Sequence, residues 1–217
     1  MPATEWTVPL LVDWIRTYAD DVAAAADDLT ALDSAIGDAD HGSNMKRGFA
    51  AAVTALDEKP PATCADVLKT TGMSLVSHVG GASGPLYGTF FLRLGAAAGT
   101  ETTVDATTFG AGLHAALDGV RARGKAEVGD KTLIDALTPA VEAYDAALAK
   151  AADPSDDALV DAIAEATKAA AIGRDSTTPL QARRGRASYL GERSVGHQDP
   201  GATSMALLFA AAEQVTR

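Results

Sequence analysis

Apolar residues recur at the spacing of an α-helix through most of this 217-residue chain. One apolar stripe runs from Leu11 to Leu29 and another from Leu133 to Leu148, with members three or four positions apart. Runs of Val, Ile, Thr or aromatic residues with a period of two are missing, and alanine, which lets helices approach closely, is abundant. The pattern predicts an all-α fold of roughly eight helices.

Further helices follow from the same spacing and from residues that start helices. Thr63–Asp66 resembles a capping box, and Pro85 and Pro154 fit the first turn of a helix. Besides the two stripes, the predicted helices cover about 43–57, 64–79, 85–98, 106–120, 155–172 and 201–215.

Composition limits the kinds of protein that this chain can be. A net charge of −11 and an isoelectric point near 4.7 argue against nonspecific binding to nucleic acid or to an anionic membrane. A single cysteine, Cys64, excludes an intrachain disulfide and fits a reducing compartment. No leader pattern and no long apolar run is present. We expect one domain over 1–217, soluble and cytoplasmic, with Cys64 as a packing residue.

Residues 33–44, the acidic segment, place Asp33, Asp38 and Asp40 between glycines where two helical patterns meet. Clustered carboxylates stay ionised together when a cation neutralises them, and oxygen donors suit Mg²⁺, which usually also takes substrate phosphates as ligands. A solvated acidic turn is the simpler alternative. A calcium loop of the EF-hand type is excluded, because the twelfth position counted from Asp38 or Asp40 is not Glu.

Two more segments interrupt the helical pattern. The glycine segment, residues 80–88, precedes a predicted helix start at Pro85 and could cradle a phosphate with backbone N–H groups and the Ser83 hydroxyl, although a plain helix–helix turn looks the same. The arginine segment, residues 183–201, carries four arginines and could close over a nucleotide, unless these arginines pair with surface carboxylates.

Residues 124–132, the lysine segment, resemble a P-loop, but Asp130 stands before Lys131 and the segment follows a predicted helix rather than a strand. The P-loop fold is therefore rejected. The segment stays a possible ligand-facing loop. Among the histidines, His41 beside Asp40 favours a role at a phosphate or in a metal shell. His78 and His114 fit ordinary helix positions, and His197 stays ambiguous. Zinc spacing is missing, and the sequence supports no nucleophile–base pair.

Four motifs, Gly37–Gly42, Gly80–Gly88, Gly124–Thr132 and Gly185–Gly201, together resemble the nucleotide-binding L subunit of dihydroxyacetone kinases, the DAK2 or DhaL domain family. The resemblance covers essentially the whole chain, in order. Where the family most often has glycine in the first motif, this chain has Ala39. This difference leaves the carboxylates of Asp38 and Asp40 in the motif. Because alanine rarely adopts a positive φ, we expect that position 39 does not require one.

The resemblance implies an eight-helix antiparallel barrel that holds ATP or ADP at one end, with two Mg²⁺ ions between carboxylates and phosphates. It implies metal ligands at Asp33, Asp38 and Asp40, which together with Arg184 would serve phosphoryl transfer; Arg183 and Arg186 lie close enough to replace Arg184. The implied nucleotide-binding positions are His41, Gly42, Ser43, Asn44, Ala82, Ser83, Gly124, Thr132, Arg184, Asp199, Pro200 and Gly201.

The resemblance also implies partners. In this family a separate K subunit holds dihydroxyacetone or a related short ketose, so the chain would be half of an enzyme, active with that partner. Some members keep ADP bound and are recharged by an M subunit of the phosphotransferase system, whereas others exchange ATP, and both options stay open, as does a homodimer. The alternative function is a nucleotide-dependent interaction or regulatory module without catalysis, which the retention of all three aspartates disfavours.

Overall fold

The computed structural model describes residues 3–150 and 158–217. Almost all of the regular structure in these ranges is helical, as the apolar spacing predicts. The elements are β1 (Trp6–Thr7), α1 (Val8–Ala24), α2 (Ala26–Ile36), α3 (His41–Glu58), α4 (Cys64–His78), α5 (Ser83–Ala98), β2 (Thr103–Val104), α6 (Ala106–Gly124), α7 (Ile134–Lys150), α8 (Ala158–Ser176), a 3₁₀ helix (Arg186–Ser194) and α9 (Pro200–Thr216).

Eight of the nine described α-helices, all except the short α2, form a closed ring. Each packs against the next along the chain, from α3 to α9, and α1 closes the ring by packing against both α3 and α9. Side chains of α1 bond the backbone of α9 in opposite order along the two helices: Tyr18 Oη donates to Ser204 O at 2.9 Å and Trp14 Nε1 to Leu208 O at 2.9 Å. The fold is therefore an antiparallel eight-helix barrel, in agreement with the prediction.

Because neighbouring helices run in opposite directions, alternate helices begin at the same end of the barrel. Helices α3, α5, α7 and α9 begin at one end, which we call the cavity end, and α1, α4 and α6 begin at the other, the far end. The predicted capping box is confirmed at the far end, where Thr63 and Asp66 exchange side-chain to backbone hydrogen bonds.

Aromatic side chains close the far end. Trp6 stacks on Phe109 with ring centroids 4.9 Å apart and lies 5.2 Å from Trp14. A two-residue antiparallel ladder of β1 and β2, in which Trp6 pairs with Val104, holds the first aromatic ring in place. These strands are too short to produce a period-two pattern, so the sequence does not reveal them. Cys64 is buried beside this cluster, as expected, and burial raises the pKa of its thiol to about 11.

The structure corrects several helix boundaries. The stripe from Leu11 to Leu29 is not one helix but two, because the chain leaves the helical conformation at Ala25 (φ −89°, ψ 5°). Val22, Ala26 and Leu29 keep helical spacing across the break, so periodicity could not detect it. Pro154 lies outside the described residues, as does the beginning of the helix predicted over 155–172.

The segments predicted to be non-helical are shorter than expected. Asp33 lies in the last turn of α2, so that only residues 37–40 of the acidic segment form a connection, and α5 already begins at Ser83 in the glycine segment. Much of the arginine segment is a 3₁₀ helix, interrupted at Gly191 where φ is +56°. Helix ends thus reach directly into the candidate binding segments. Of the helices in the described ranges, none combines the length and apolarity that a bilayer span requires.

Candidate functional site

A cavity of about 540 Å³ opens at the cavity end of the barrel and gathers all four segments that the sequence analysis singled out. Since four helices begin at this end, backbone N–H groups that lack helical partners are concentrated around it. Its lining consists of Asp33, Ile36, Gly37, Asp38, Asp40, His41, Gly80, Gly81, Ala82, Ser83, Leu86, Lys131, Thr132, Leu133, Arg183, Arg184, Gly185, Arg186, Ala187, Ser188, Tyr189, Asp199, Pro200 and Gly201.

Three carboxylates converge on one wall of this cavity. Asp33, Asp38 and Asp40 each offer one oxygen atom, and these atoms all lie within 4.8 Å of one another. Asp33 is buried and held in place, since its Oδ2 accepts hydrogen bonds from the backbone N–H groups of Asp40 at 2.8 Å and His41 at 3.1 Å. Asp38 is exposed and Asp40 half-buried. A close set of oxygen donors that includes a fixed, buried carboxylate fits a hard cation such as Mg²⁺.

The turn that carries these carboxylates has two special backbone positions. A Cβ atom on Gly37 would lie 2.0 Å from Asp33 Oδ1, so glycine is required there to make room for the carboxylate. Ala39 has a φ of +60°, in the left-handed region. The expectation that position 39 needs no positive φ is therefore wrong: the four-residue turn from α2 to α3 demands it, and alanine adopts it at a steric cost.

His41 and Ser83 are the first residues of α3 and α5, two alternate helices of the ring that begin at the same end. Ser83 Oγ lies 3.2 Å from His41 Nδ1, and Ser204 Oγ lies 2.8 Å from His41 Nε2. Burial lowers the pKa of His41, against the opposing effect of Asp33 and Asp40, so the imidazole is neutral near pH 7. His41 and Ser83 are thus an uncharged pair, oriented by hydrogen bonds, between the carboxylates and the glycine segment.

The arginine segment contributes residues 183–189 and 199–201 to the lining of the cavity. Arg186 Nε lies 3.1 Å from Asp38 Oδ2, and Arg184 Nε lies 3.4 Å from Asp130 Oδ2. Tyr189, which also lines the cavity, is 88% exposed. Both interpretations of the arginines apply in part, because they pair with carboxylates and at the same time place positive charge at the rim.

Asp199, the residue directly before α9, is buried and lines the cavity. Its Oδ2 accepts a hydrogen bond from Ala202 N at 2.7 Å, which makes it the N-cap of that helix, with Pro200 in the first turn. Burial raises its pKa to about 7, and the nearby Asp135 carboxylate adds to the effect. Asp199, Pro200 and Gly201 all line the cavity, beside Thr132 and Leu133.

Four of the predicted nucleotide-binding residues lie outside the lining. Gly42 packs on α2, where a Cβ atom would lie 1.9 Å from Ala26 O, and Ser43 Oγ donates to the Asp40 carbonyl at 2.9 Å. Asn44 lies behind Gly80. The fourth, Gly124, ends α6 next to Leu86, which does line the cavity. Their contact with a nucleotide stays a prediction.

Some lining residues carry no signal that points to a site. Ile36, Leu86 and Leu133 look like ordinary core residues in the sequence, and their placement depends on how the helix ends meet. Ser204 lies on a buried helix face and reaches His41 only in the folded barrel. Lys131 belongs to the lysine segment, which the sequence presents as a possible ligand-facing loop without giving this residue a role of its own; it lines the cavity and is buried.

Comparisons with known proteins agree with the fold and with the motifs. The family model described as the DAK2 domain matches residues 35–214. The chain is 46% identical over 196 residues to the PEP-dependent dihydroxyacetone kinase 1, ADP-binding subunit DhaL, of Listeria innocua, covering 90% of each chain. It is 44% identical over 195 residues to the PEP-dependent dihydroxyacetone kinase, ADP-binding subunit DhaL, of Escherichia coli, again covering 90% of each.

Among solved structures, the chain is similar to the dihydroxyacetone kinase of C. freundii, with a TM-score of 0.70 and 25% sequence identity. The match covers 99% of this chain but 35% of that longer one, so it concerns one part of a larger protein. The matched family model includes the acidic segment from residue 35 onward and the whole of the other three candidate segments, and the relatives align over nine-tenths of their length. The chain therefore belongs to the DAK2 domain family.

Proposed function

We propose that this chain is the nucleotide-binding subunit of a dihydroxyacetone or short-ketose kinase. It binds ADP or ATP with Mg²⁺ and takes part in transferring a phosphoryl group to a ketose held on a separate K subunit. The observation that carries this proposal is the meeting of Asp33, Asp38 and Asp40 with helix N-termini in one cavity. The relatives in Listeria innocua and Escherichia coli, both named ADP-binding subunits of such kinases, support it.

The carboxylate cluster is where Mg²⁺ would bind. Asp33, Asp38 and Asp40 would hold it, and we propose two ions, as the family resemblance implies. The bound cation would neutralise phosphate charge and so supply electrostatic stabilisation for the transfer. Asp33 is already oriented by two backbone N–H groups, so a buried carboxylate is in place before the cation binds.

The phosphates would lie between the carboxylates and the N-termini of α3 and α5. Ser83 and the backbone around Ala82 face the cavity there, and neither helix end is closed by a side chain of its N-cap residue, Asp40 or Ala82. Free N–H donors at the positive end of a helix favour an anion. The neutral His41 would orient the Ser83 hydroxyl.

Charge on the transferring group would be stabilised from the rim of the cavity. Arg184 is our candidate, because its side chain is half-exposed and, among the residues that the structure describes, is paired with Asp130 alone, at 3.4 Å, so it can turn inward. Arg186 pairs with Asp38 at 3.1 Å and would be released from that carboxylate when the cation takes it. Phosphoryl transfer depends mainly on positioning and charge neutralisation, so no covalent role for the chain is needed.

The ketose and the phosphoryl source complete the proposal. The chain holds nucleotide, and the acceptor hydroxyl would come from a partner K subunit docked at the cavity rim. The relatives' names specify dependence on PEP, which supports recharging of bound ADP by a phosphotransferase-system M subunit. In that case ADP would stay bound to the chain and be rephosphorylated in place, so it should dissociate slowly.

Two measurements test the proposal. Calorimetric titration with ADP and ATP, each in Mg²⁺ and in EDTA, should show tight binding that EDTA abolishes. Mixing the ATP-loaded chain with a K subunit and dihydroxyacetone should then yield dihydroxyacetone phosphate and ADP. Binding without transfer would instead support a nucleotide-dependent interaction module. Failure to bind nucleotide, alone or with a K subunit, would refute the proposal.

A further inference from the structure

Lys131 is a buried cation that the proposed chemistry does not use. Its side chain is among the largest fully enclosed ones, and the residue is 1% exposed. Its backbone φ of +63° departs from the usual range for a lysine. A charged group is costly to bury unless it is fully hydrogen-bonded, so a lysine in this position calls for a specific set of partners.

The ammonium group has three such partners, and all are backbone carbonyls. Lys131 Nζ donates to Thr177 O at 2.7 Å, to Thr178 O at 3.4 Å and to His197 O. An ammonium has three N–H donors, so this set uses all of them. Burial lowers the pKa of Lys131, whereas the Asp199 and Asp135 carboxylates oppose that change. No donor is left for a phosphate oxygen.

These carbonyls lie where the chain leaves α8 and where it returns to α9. Gly196 N donates to Thr178 O at 2.8 Å, and Asp199 N donates to Thr177 Oγ1 at 3.0 Å. Residues 178–196 therefore form a loop whose two ends meet at one point, which we call the base of the loop. Lys131 crosses this base from the opposite side, because it belongs to the connection between α6 and α7.

Both parts of the arginine segment that line the cavity are connected to the base of the loop. Residues 183–189 extend from the loop, and 199–201 follow directly after its base. Away from the base, the lysine segment holds this loop through Arg183 N, which donates to Asp130 O at 3.0 Å, and through the Arg184 and Asp130 pair. The cavity cover is thus held at two places, at the base around Lys131 and at Asp130.

We propose that Lys131 is a positioning residue: it fixes the base of the 178–196 loop and thereby keeps the cover closed on bound nucleotide. This inference rests on the proposed nucleotide-binding function. Replacing the ammonium by an apolar group of similar length removes one donor from each of three carbonyls, which loosens the base. The cover then opens more often, and nucleotide leaves faster although no phosphate contact is lost.

The test compares Lys131→Met with Lys125→Met, which removes an equal charge from an exposed position of the same connection. ADP release in Mg²⁺ is followed by stopped-flow displacement of a fluorescent ADP analogue. We expect release at least tenfold faster for Lys131→Met and unchanged for Lys125→Met. The loss of affinity should be equal for AMP, ADP and ATP, and Mn²⁺ binding to the nucleotide-free chain should be unaffected.

Two results would overturn the inference. Release at the wild-type rate would show that the base does not govern closure, and a loss that grows from AMP to ATP would make Lys131 a phosphate ligand instead. If Lys131→Met does not fold, Thr177→Val serves in its place, because it removes the acceptor for Asp199 N while keeping the side-chain shape. A folded Thr177→Val variant that releases ADP at the wild-type rate would also refute it.

Hydrogen exchange separates this inference from the proposed function. In the nucleotide-free chain, the Gly196 and Asp199 amides should exchange faster in Lys131→Met than in Lys125→Met, whether or not nucleotide binds. If the wild-type chain binds no nucleotide, the proposed function fails while this effect on the base persists. If these amides exchange equally in both variants, the role assigned to Lys131 fails by itself.

Discussion

The two ends of the barrel differ in how the N-termini of their helices are capped. At the far end, α1, α4 and α6 are capped by the side chains of Thr7, Thr63 and Asp105, each of which accepts a backbone N–H. At the cavity end, the described N-caps of α3 and α5, Asp40 and Ala82, make no such side-chain bond. The described far-end helices thus satisfy donors with their own caps, whereas at the cavity end Asp199 caps α9 but α3 and α5 leave N–H groups available to an anion.

Packing follows the same division. The far end is filled by Trp6, Trp14 and Phe109, which are all buried, whereas the cavity end has carboxylates, glycines and arginines around an open volume of about 540 Å³. Stability is concentrated where apolar area is buried, and binding chemistry is concentrated where polar groups line an open cavity. The contrast teaches that a barrel of alternating helices can use one end to fold and the other to bind.

The largest expected effect is a change in stability with pH. It is measured by comparing Asp199, the N-cap of α9 at the cavity end, with Asp105, the N-cap of α6 at the far end. Asp199 is buried and has a pKa of about 7 when folded, above its usual value near 3.8. Between about pH 4 and 7 the folded chain therefore retains a proton that the unfolded chain has lost, so this group's contribution to stability falls as the pH rises through that window.

Asp199→Asn removes this contribution, while Asp105→Asn makes the same change at an exposed far-end cap. From pH 4 to pH 8 the free energy of unfolding of Asp199→Asn should rise relative to wild type by up to about 4 kcal/mol. Urea denaturation across this range measures the difference. A constant difference, or a similar one for Asp105→Asn, would contradict the assignment.

A second prediction removes a carboxylate charge from the cavity end. Asp38→Asn should lower the affinity for ADP in Mg²⁺ at least 100-fold, roughly 3 kcal/mol, because the cation loses a charged ligand. Asp57→Asn changes an exposed carboxylate at the far end, which pairs with Arg16 at 2.6 Å, and should leave binding unchanged. Calorimetry measures both; equal affinities for the two variants would remove the metal assignment.

A third prediction places a new charge in the anion-binding part of the cavity end. Ala82→Asp puts a carboxylate in the cavity wall at the N-terminus of α5 and should weaken ADP binding about tenfold, or 1.4 kcal/mol, by repulsion of phosphate. Ala82→Asn has nearly the same shape without the charge and serves as the control. The repulsion should diminish at high salt, and equal affinity of the two variants would argue against phosphate at this position.

The smallest effect is expected at the far end. Thr63→Ala removes the N-cap of α4 and should cost about 1 kcal/mol of unfolding free energy, because the Asp66 N–H loses its acceptor. Affinity for ADP should be unchanged, since the capping box lies at the opposite end from the cavity. Thermal denaturation and calorimetry on one sample test both statements, and a change in affinity would mean that the two ends are energetically coupled.

Most of the fold could be predicted from the sequence, because helical periodicity and capping residues are local signals. The capping box at Thr63–Asp66 and the start of α6 at Ala106 lie where the sequence places them. The break at Ala25 could not be predicted, since the apolar stripe continues through it in phase. The left-handed Ala39 was also missed, because only the geometry of the turn between α2 and α3 demands it.

The candidate site was predicted as a set of segments rather than as a geometry. That Asp33, Asp38 and Asp40 lie together follows from their short separation along the chain, and the structure places one oxygen of each within 4.8 Å of the others. That Asn44 lies behind Gly80 and outside the cavity follows from the angle at which α3 leaves the turn. Local spacing does not report such an angle.

By itself, the sequence determined the helical class, the helix boundaries set by strong caps, and the four segments that carry binding chemistry. These properties depend on neighbours within a few residues of one another, which is the range of helix propensity and of side-chain caps. Tertiary structure alone decided that these segments meet at one end, that Ser204 reaches His41, and that Lys131 bonds three distant carbonyls. Such contacts depend on how the eight helices close into a ring, which is a property of the whole barrel.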